Sequence, residues 1–342
     1  MFFEEIPPAP GTVLEAAAVN LDPLARIRIA VIGYGTMGRA HALNLRRSGL
    51  TVSVGARKGS ATGALARNEG LPVLPVAEAV ANADLVMLML PDEVVGSVYG
   101  TDVAPHLSPE AAIGFAHGFA VAFDQVCPEP GRPCFLVAPK SQGDMLLEAH
   151  AAGGGVPGLL AVTDGSPPAT WSLAASYGLA VGCLAGGGIV TTFRQECVSD
   201  QFGEQAVLCG GVIELLKAAF DIMVEAGYGE ANAYFECVHE LKLITDLLHR
   251  HGLEGLRQRI SGTAAYGGMT RGPRVIDARV RDNLREILAE IESGQFAAEL
   301  LRRHADPEAG IAALARREAA GPLAVAGHRF LHRLHPPADG SQ

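Results

Sequence analysis

Between an apolar, β-branched run (residues 26–32) and a helically spaced segment that ends in glycine (residues 38–49) stands Gly33-Tyr34-Gly35-Thr36-Met37-Gly38. A strand that turns through glycines straight into a helix leaves the first N–H groups of that helix unpaired. Together with the helix dipole they form a seat for phosphate. The first glycine of such a turn allows the sharp bend, the second admits a pyrophosphate to the backbone, and the third lets the helix pack close. The motif alone is a weak signal, but here it has a strand before it and a helix after it, the context it requires. The chain must therefore start its main fold with a βαβ unit, and Gly33, Tyr34, Gly35, Thr36, Met37 and Gly38 are candidate dinucleotide-binding residues.

The next strand points to the kind of dinucleotide. It ends in Val54-Gly55-Ala56-Arg57-Lys58-Gly59-Ser60-Ala61-Thr62, without an acid. An NAD site usually closes this strand with a carboxylate for the ribose 2′-hydroxyl. Cations and hydroxyls, here Arg57, Lys58, Ser60 and Thr62, suit a 2′-phosphate through charge-assisted hydrogen bonds, so the expected cofactor is NADPH.

Beyond this point strands and amphipathic helices alternate: LVMLMLP, AAIGFAHGF, CFLVAPK and GLLAVTD read as short buried strands. That order predicts an α/β Rossmann-type, doubly wound parallel sheet. After about residue 190 the pattern is helical almost throughout, which predicts an all-α C-terminal domain. The expected organisation is an N-terminal arm (1–26), a Rossmann domain (27–190), a helical domain (191–335) and a disordered tail (336–342). With 342 residues, 49% hydrophobic and 19% charged, the chain is long enough for two packed cores. The net charge of −10 argues against general affinity for nucleic acid or anionic membrane. Six cysteines without a CxxC pair read as free thiols. The start of the chain lacks a cationic lead into an apolar run, and Leu85–Leu90 is too short to span a bilayer, so a cytoplasmic location is expected.

Two carboxylate pairs stand four residues apart in helical segments: Asp200 and Glu204 in SDQFGEQAVL, and Glu236 and Glu240 in YFECVHELKL. Acids at this spacing lie one turn apart on one face, where they repel by roughly 0.2–0.5 kcal/mol per pair unless a cation intervenes. Such pairs also occur on solvated faces, but Phe202, Val207, Leu208, Phe235, Leu241 and Leu243 make the neighbourhood apolar. Oxygen-only ligands suit Mg²⁺. His117 and Lys140 each end a strand, at the sheet edge where α/β folds bind ligands.

Together, GYGTMGRAHALNLRRSG, LPDEVVGSVY, FAHGF, APK, TTF, DQFGEQAVLCGG, EAGY, AYFECVHELKLI and ISGTAAYG resemble the class I, short-chain ketol-acid reductoisomerases, from about Ile29 to Phe296. The resemblance implies a Rossmann domain joined to a knotted helical domain. It also implies a homodimer whose active sites borrow the second carboxylate pair and the serine from the neighbouring subunit. It implies that Asp200, Glu204, Glu236 and Glu240 hold two Mg²⁺, and that His117, Lys140 and Glu240 are catalytic. Ser261 and Gln201 would meet substrate. Asp92, Glu93 and Gly143 would join Tyr34, Thr36, Arg57, Ser60 and Thr62 around NADPH. The implied reaction on a 2-hydroxy-2-alkyl-3-keto acid is an alkyl shift followed by hydride reduction to a 2,3-dihydroxy acid.

Several positions depart from the family pattern: Ser141-Gln142 after the lysine, Ala120 after HGF, Gln201 between the aspartate and phenylalanine, Ala265, and the run Arg194-Gln195-Glu196-Cys197-Val198-Ser199. A polar Gln201 in a pocket built for methyl or ethyl groups leaves amide atoms unpaired, at a cost of roughly 1–3 kcal/mol. The alternative expectation is thus a related NADPH-dependent reductase of a more polar keto or imino acid. A binding protein without turnover is a third reading, which the retained carboxylates and Lys140 oppose.

Overall fold

The computed structural model describes residues 8–334; the tail expected at 336–342 lies outside them. The chain divides into two compact units between Ser199 and Asp200.

The first unit is built on one nine-stranded sheet. Its strands are β1 (Val13–Leu14), β2 (Arg28–Ile32), β3 (Thr51–Gly55), β4 (Val73–Leu74), β5 (Leu85–Leu88), β6 (Ala112–Phe115), β7 (Cys134–Pro139), β8 (Gly158–Val162) and β9 (Gly188–Val190). Their order is β1-β9-β8-β7-β6-β5-β2-β3-β4. From β4 to β7 all neighbours are parallel, with β2 paired to β3 on one side and β5 on the other. The order reverses at β2, the place where doubly wound sheets open a crevice at their carboxyl edge.

The Rossmann expectation holds for this core, but the sheet is mixed at one end. Strand β8 runs antiparallel to β7, and β1, from the expected arm, runs antiparallel to β9. Apolar runs report that a strand is buried on both faces and carry no information on its direction. Strands β1, β4 and β9 have two or three residues each, too few to show a period.

Alternate residues of β2 feed two cores. Ile29 and Val31 pack with Leu43 and Leu45 of the helix Thr36–Arg47 and with the helix Ala169–Val181. Ala30 and Ile32 pack on the other face with Val80, Val95 and Phe193. This is the period-two alternation of a strand covered by helices on both sides.

The second unit is helical, with a small buried cluster of Phe220, Ala233, Tyr234 and Ala326. The regular helices expected around the carboxylate pairs are each interrupted. Turns of the wider, i to i+5 kind occupy Glu204–Leu208 and Phe235–His239. The first is closed by the Cys209 N–H donating to the Glu204 carbonyl at 2.7 Å. Glycine makes it possible. A Cβ on Gly210 would stand 2.0 Å from the Gln205 carbonyl oxygen, and one on Gly211 would stand 2.1 Å from that of Ala206. Such widened turns recur at functional sites. Another glycine, Gly252 at φ +65, breaks the long helical segment Glu240–Arg259. Among the described residues no helix is long and apolar enough to cross a membrane.

Behind the glycine turn the helix Thr36–Arg47 buries a titratable group. His41 is fully buried, and its Nδ1 shares a hydrogen bond of 2.9 Å with the Tyr177 hydroxyl. Burial disfavours the imidazolium and pushes the His41 pKa down to about 3. The unfolded chain takes up this proton near pH 6.5 and the folded chain only near 3. The fold therefore loses stability as pH falls through that window, by up to about 1.4 kcal/mol per pH unit. In denaturant titrations between pH 6.5 and 4, His41→Gln is expected to flatten the decline by about one proton's worth. Equal slopes in parent and variant would contradict this account of His41.

Candidate functional site

Four loops leave the carboxyl ends of β2, β5, β6 and β7, which are adjacent in the sheet. At the end of β2, Gly33 has φ +100, and a Cβ there would lie 2.5 Å from the Met89 carbonyl oxygen, so only glycine fits the turn. Gly35 is different: a Cβ there would meet nothing within 4 Å, so the backbone is open to an approaching group. Gly35 is also the N-cap of the helix Thr36–Arg47 and has no side chain to cap it. The first N–H groups of this helix are left to a phosphate. Thr36 is exposed, Met37 packs onto the core, and Gly143 sits with its Cα side against the Thr36 backbone.

The Tyr34 side chain turns away into the protein. It is 3% exposed, and its hydroxyl donates to Glu69 Oε2 at 2.7 Å. Burial and this bond raise the phenol's pKa well above its usual value. Arg39 also reaches Glu69, at 2.5 Å, and holds its carboxyl below the usual range. Tyr34 thus ties the glycine turn to the C-terminal end of the helix Ala61–Asn68. At the other end of that helix lies the basic turn. Arg57, Lys58 and Thr62 are exposed, while Ser60 is the N-cap and its Oγ accepts the Gly63 N–H at 3.1 Å. That bond leaves the Ser60 O–H available to donate.

The ends of β6 and β7 converge on one carboxylate. Lys140, following β7, donates from Nζ to Glu196 Oε1 at 2.9 Å, and the Gly118 N–H, following β6, donates to Glu196 Oε2 at 2.8 Å. Glu196 is 1% exposed. It offers an oxygen within 4.8 Å of a ring nitrogen of His117. His117 Nδ1 bonds Asp92 Oδ2 at 2.9 Å. Burial by itself would make this imidazole harder to charge. Hydrogen bonds to Asp92 and Cys197 and the charges of Asp92 and Glu196 outweigh it and raise the pKa to about 11. Asp92 therefore orients His117 from the first turn of the helix Asp92–Val98, where Glu93 also lies. Glu196 was read in the sequence only as part of a divergent run. The signal for it was its place one turn before Asp200, between the buried Phe193 and Cys197.

Glu196 belongs to the helix Phe193–Gly203, which carries Asp200 one turn later, with carboxylate oxygens of the two within 4.8 Å. Gln201 stands one turn beyond Cys197 on this helix; it is 4% exposed, and its Oε1 has no hydrogen-bond partner among the described residues. In the second unit, Glu204 opens one widened turn, Glu236 lies within the other, and Glu240 follows it. Glu204, Glu236 and Glu240 are exposed. The apolar surroundings expected for them are partly open too, since Val207, Leu208 and Leu243 are exposed. The sequence pattern located these side chains but gave no account of what covers them. Ser261 is the N-cap of the helix Gly262–Val275, and its Oγ accepts the Ala264 N–H at 3.1 Å.

Residues 23–187 match the family "Acetohydroxy acid isomeroreductase, NADPH-binding domain", and residues 193–334 match "Ketol-acid reductoisomerase, C-terminal domain". An NADH-preferring ketol-acid reductoisomerase from an uncultured archaeon is 34% identical, with a TM-score of 0.90 over 95% of this chain and 99% of that one. A semialdehyde dehydrogenase NAD-binding protein from Cupriavidus necator, in complex with calcium and NAD, shares the fold alone. It is 19% identical, with a TM-score of 0.59 over 78% of this chain and 99% of that one. This chain belongs to the ketol-acid reductoisomerase family, and is thus an oxidoreductase acting on a hydroxy or keto acid.

Proposed function

We propose that the protein is an NADPH- and Mg²⁺-dependent ketol-acid reductoisomerase that converts a 2-hydroxy-2-alkyl-3-keto acid to a 2,3-dihydroxy acid. The observation that carries this reading is the helix Phe193–Gly203. Through Glu196 it grips Lys140 at the carboxyl edge of the sheet, and one turn later it presents Asp200.

The residues fit the groups the reaction needs. Asp200, Glu204, Glu236 and Glu240 offer only hard oxygen ligands, which suit Mg²⁺. Two Mg²⁺ bound there would act as Lewis acids toward the substrate's ketone and hydroxyl. The open backbone at Gly35 and the uncapped helix behind it fit a dinucleotide pyrophosphate, and the nicotinamide would supply hydride. The acid-free turn with Arg57, Lys58, Ser60 and Thr62 favours NADPH. The archaeal relative's preference for NADH makes cofactor choice a property to be measured on this chain.

The protein's own groups divide the remaining work. Lys140 and Glu240 handle the hydroxyl proton, with the Lys140 ammonium positioned by Glu196. Asp92 fixes the orientation of His117. Ser261 accepts an N–H with its oxygen and keeps its O–H to donate to the substrate carboxylate. A second copy of the chain would cover the open apolar helices, on which Leu208, Ile222, Leu253 and Tyr266 are each more than 60% exposed. A homodimer with shared sites is therefore part of the proposal, as is a cytoplasmic location.

NADPH oxidation with 2-acetolactate is expected to require Mg²⁺ and to exceed the rate with NADH; magnesium-independent turnover would overturn the metal assignment. Arg57→Gln is expected to weaken NADPH binding at least tenfold and to spare NADH. Equal losses for both cofactors would remove Arg57 from the 2′-phosphate. Glu240→Gln should abolish the alkyl shift while NADPH still binds, and isomerisation at the parent rate would show the role to be misassigned.

A further inference from the structure

The helix Phe193–Gly203 has a buried stripe, and its last member is polar. Phe193, Glu196, Cys197 and Gln201 are each less than 7% exposed. The polar groups of the first two turns are matched. Glu196 takes Lys140 and the Gly118 N–H, and the Cys197 thiol bonds the His117 ring. Gln201 repeats the Cys197 position one turn later and is adjacent to Asp200, yet its buried Oε1 meets no donor among the described residues. A leucine would fill such a place without leaving an amide to be satisfied. Gln201 Oε1 is thus a buried acceptor for which the described residues provide no donor.

We propose that Gln201 determines substrate specificity, and that the substrate is a 2-hydroxy-3-keto acid with a hydroxyl on one of its alkyl substituents. The inference rests on the isomeroreductase reading above. The substrate hydroxyl donates to Gln201 Oε1, so a methyl or ethyl group at the same place strands the amide. A site that has to hydrogen-bond a hydroxyl discriminates strongly against the analogue without it.

The test compares kcat/KM for 2-acetolactate and its two mono-hydroxylated analogues, one with the hydroxyl on the C2 methyl and one with it on the C4 methyl. Parent enzyme, Gln201→Leu and Gln201→Met are assayed with Mg²⁺ and NADPH, and fluorescence titration of NADPH checks that each variant is folded. The parent is expected to favour one hydroxylated analogue by about tenfold or more. Both variants are expected to move that ratio at least tenfold toward 2-acetolactate, with NADPH affinity unchanged. A parent that favours 2-acetolactate, with a ratio the variants leave alone, overturns the role of Gln201 and leaves the isomeroreductase reading standing. No turnover of any of the three acids by a parent that binds NADPH overturns both.

Discussion

The buried carboxylate of Glu196 is the interaction on which the site depends. A charge 1% exposed is tolerable only when it is paired and hydrogen-bonded, and Glu196 has both Lys140 and the Gly118 N–H. Removing Lys140 would leave the Glu196 charge buried with one partner fewer, which is destabilising. The pairing therefore fixes three things at once: the turn after β6, the end of β7 and the register of the helix Phe193–Gly203.

The dinucleotide half of the site is held by a separate network. Tyr34 and Arg39 meet at Glu69, at the far end of the helix that begins beside the basic turn. The glycine turn is thus braced against the helix that begins beside the basic turn. Stiff supports of this kind place reacting groups more accurately than loops do.

Much of this was legible in the sequence. The glycine fingerprint, the parallel strands from β2 to β7 and the helical second half follow from periodicity and turn chemistry. The reversed β8 did not, because a run such as GLLAV is buried either way round. The carboxylate pairs were found by their spacing, but spacing assumes a regular helix. The widened turns come from a backbone choice that Gly210 and Gly211 permit and no apolar period announces. Tyr34 and Asp92 were matched to cofactor contacts by their place in motifs, and their side chains bond Glu69 and His117. The role of Glu196 is not legible from its divergent run, because its partners, Lys140 and Gly118, lie 56 and 78 residues away along the chain.

The central claim is that this scaffold moves a carbon substituent before it reduces a ketone. The most direct measurement is NMR of the product made from 2-acetolactate carrying ¹³C in the methyl group on C2, with Mg²⁺ and NADPH present. The account predicts 2,3-dihydroxy-3-methylbutanoate with the label in a methyl group on C3. Label remaining in a methyl group on C2, as 2,3-dihydroxy-2-methylbutanoate, would show reduction without migration and contradict it.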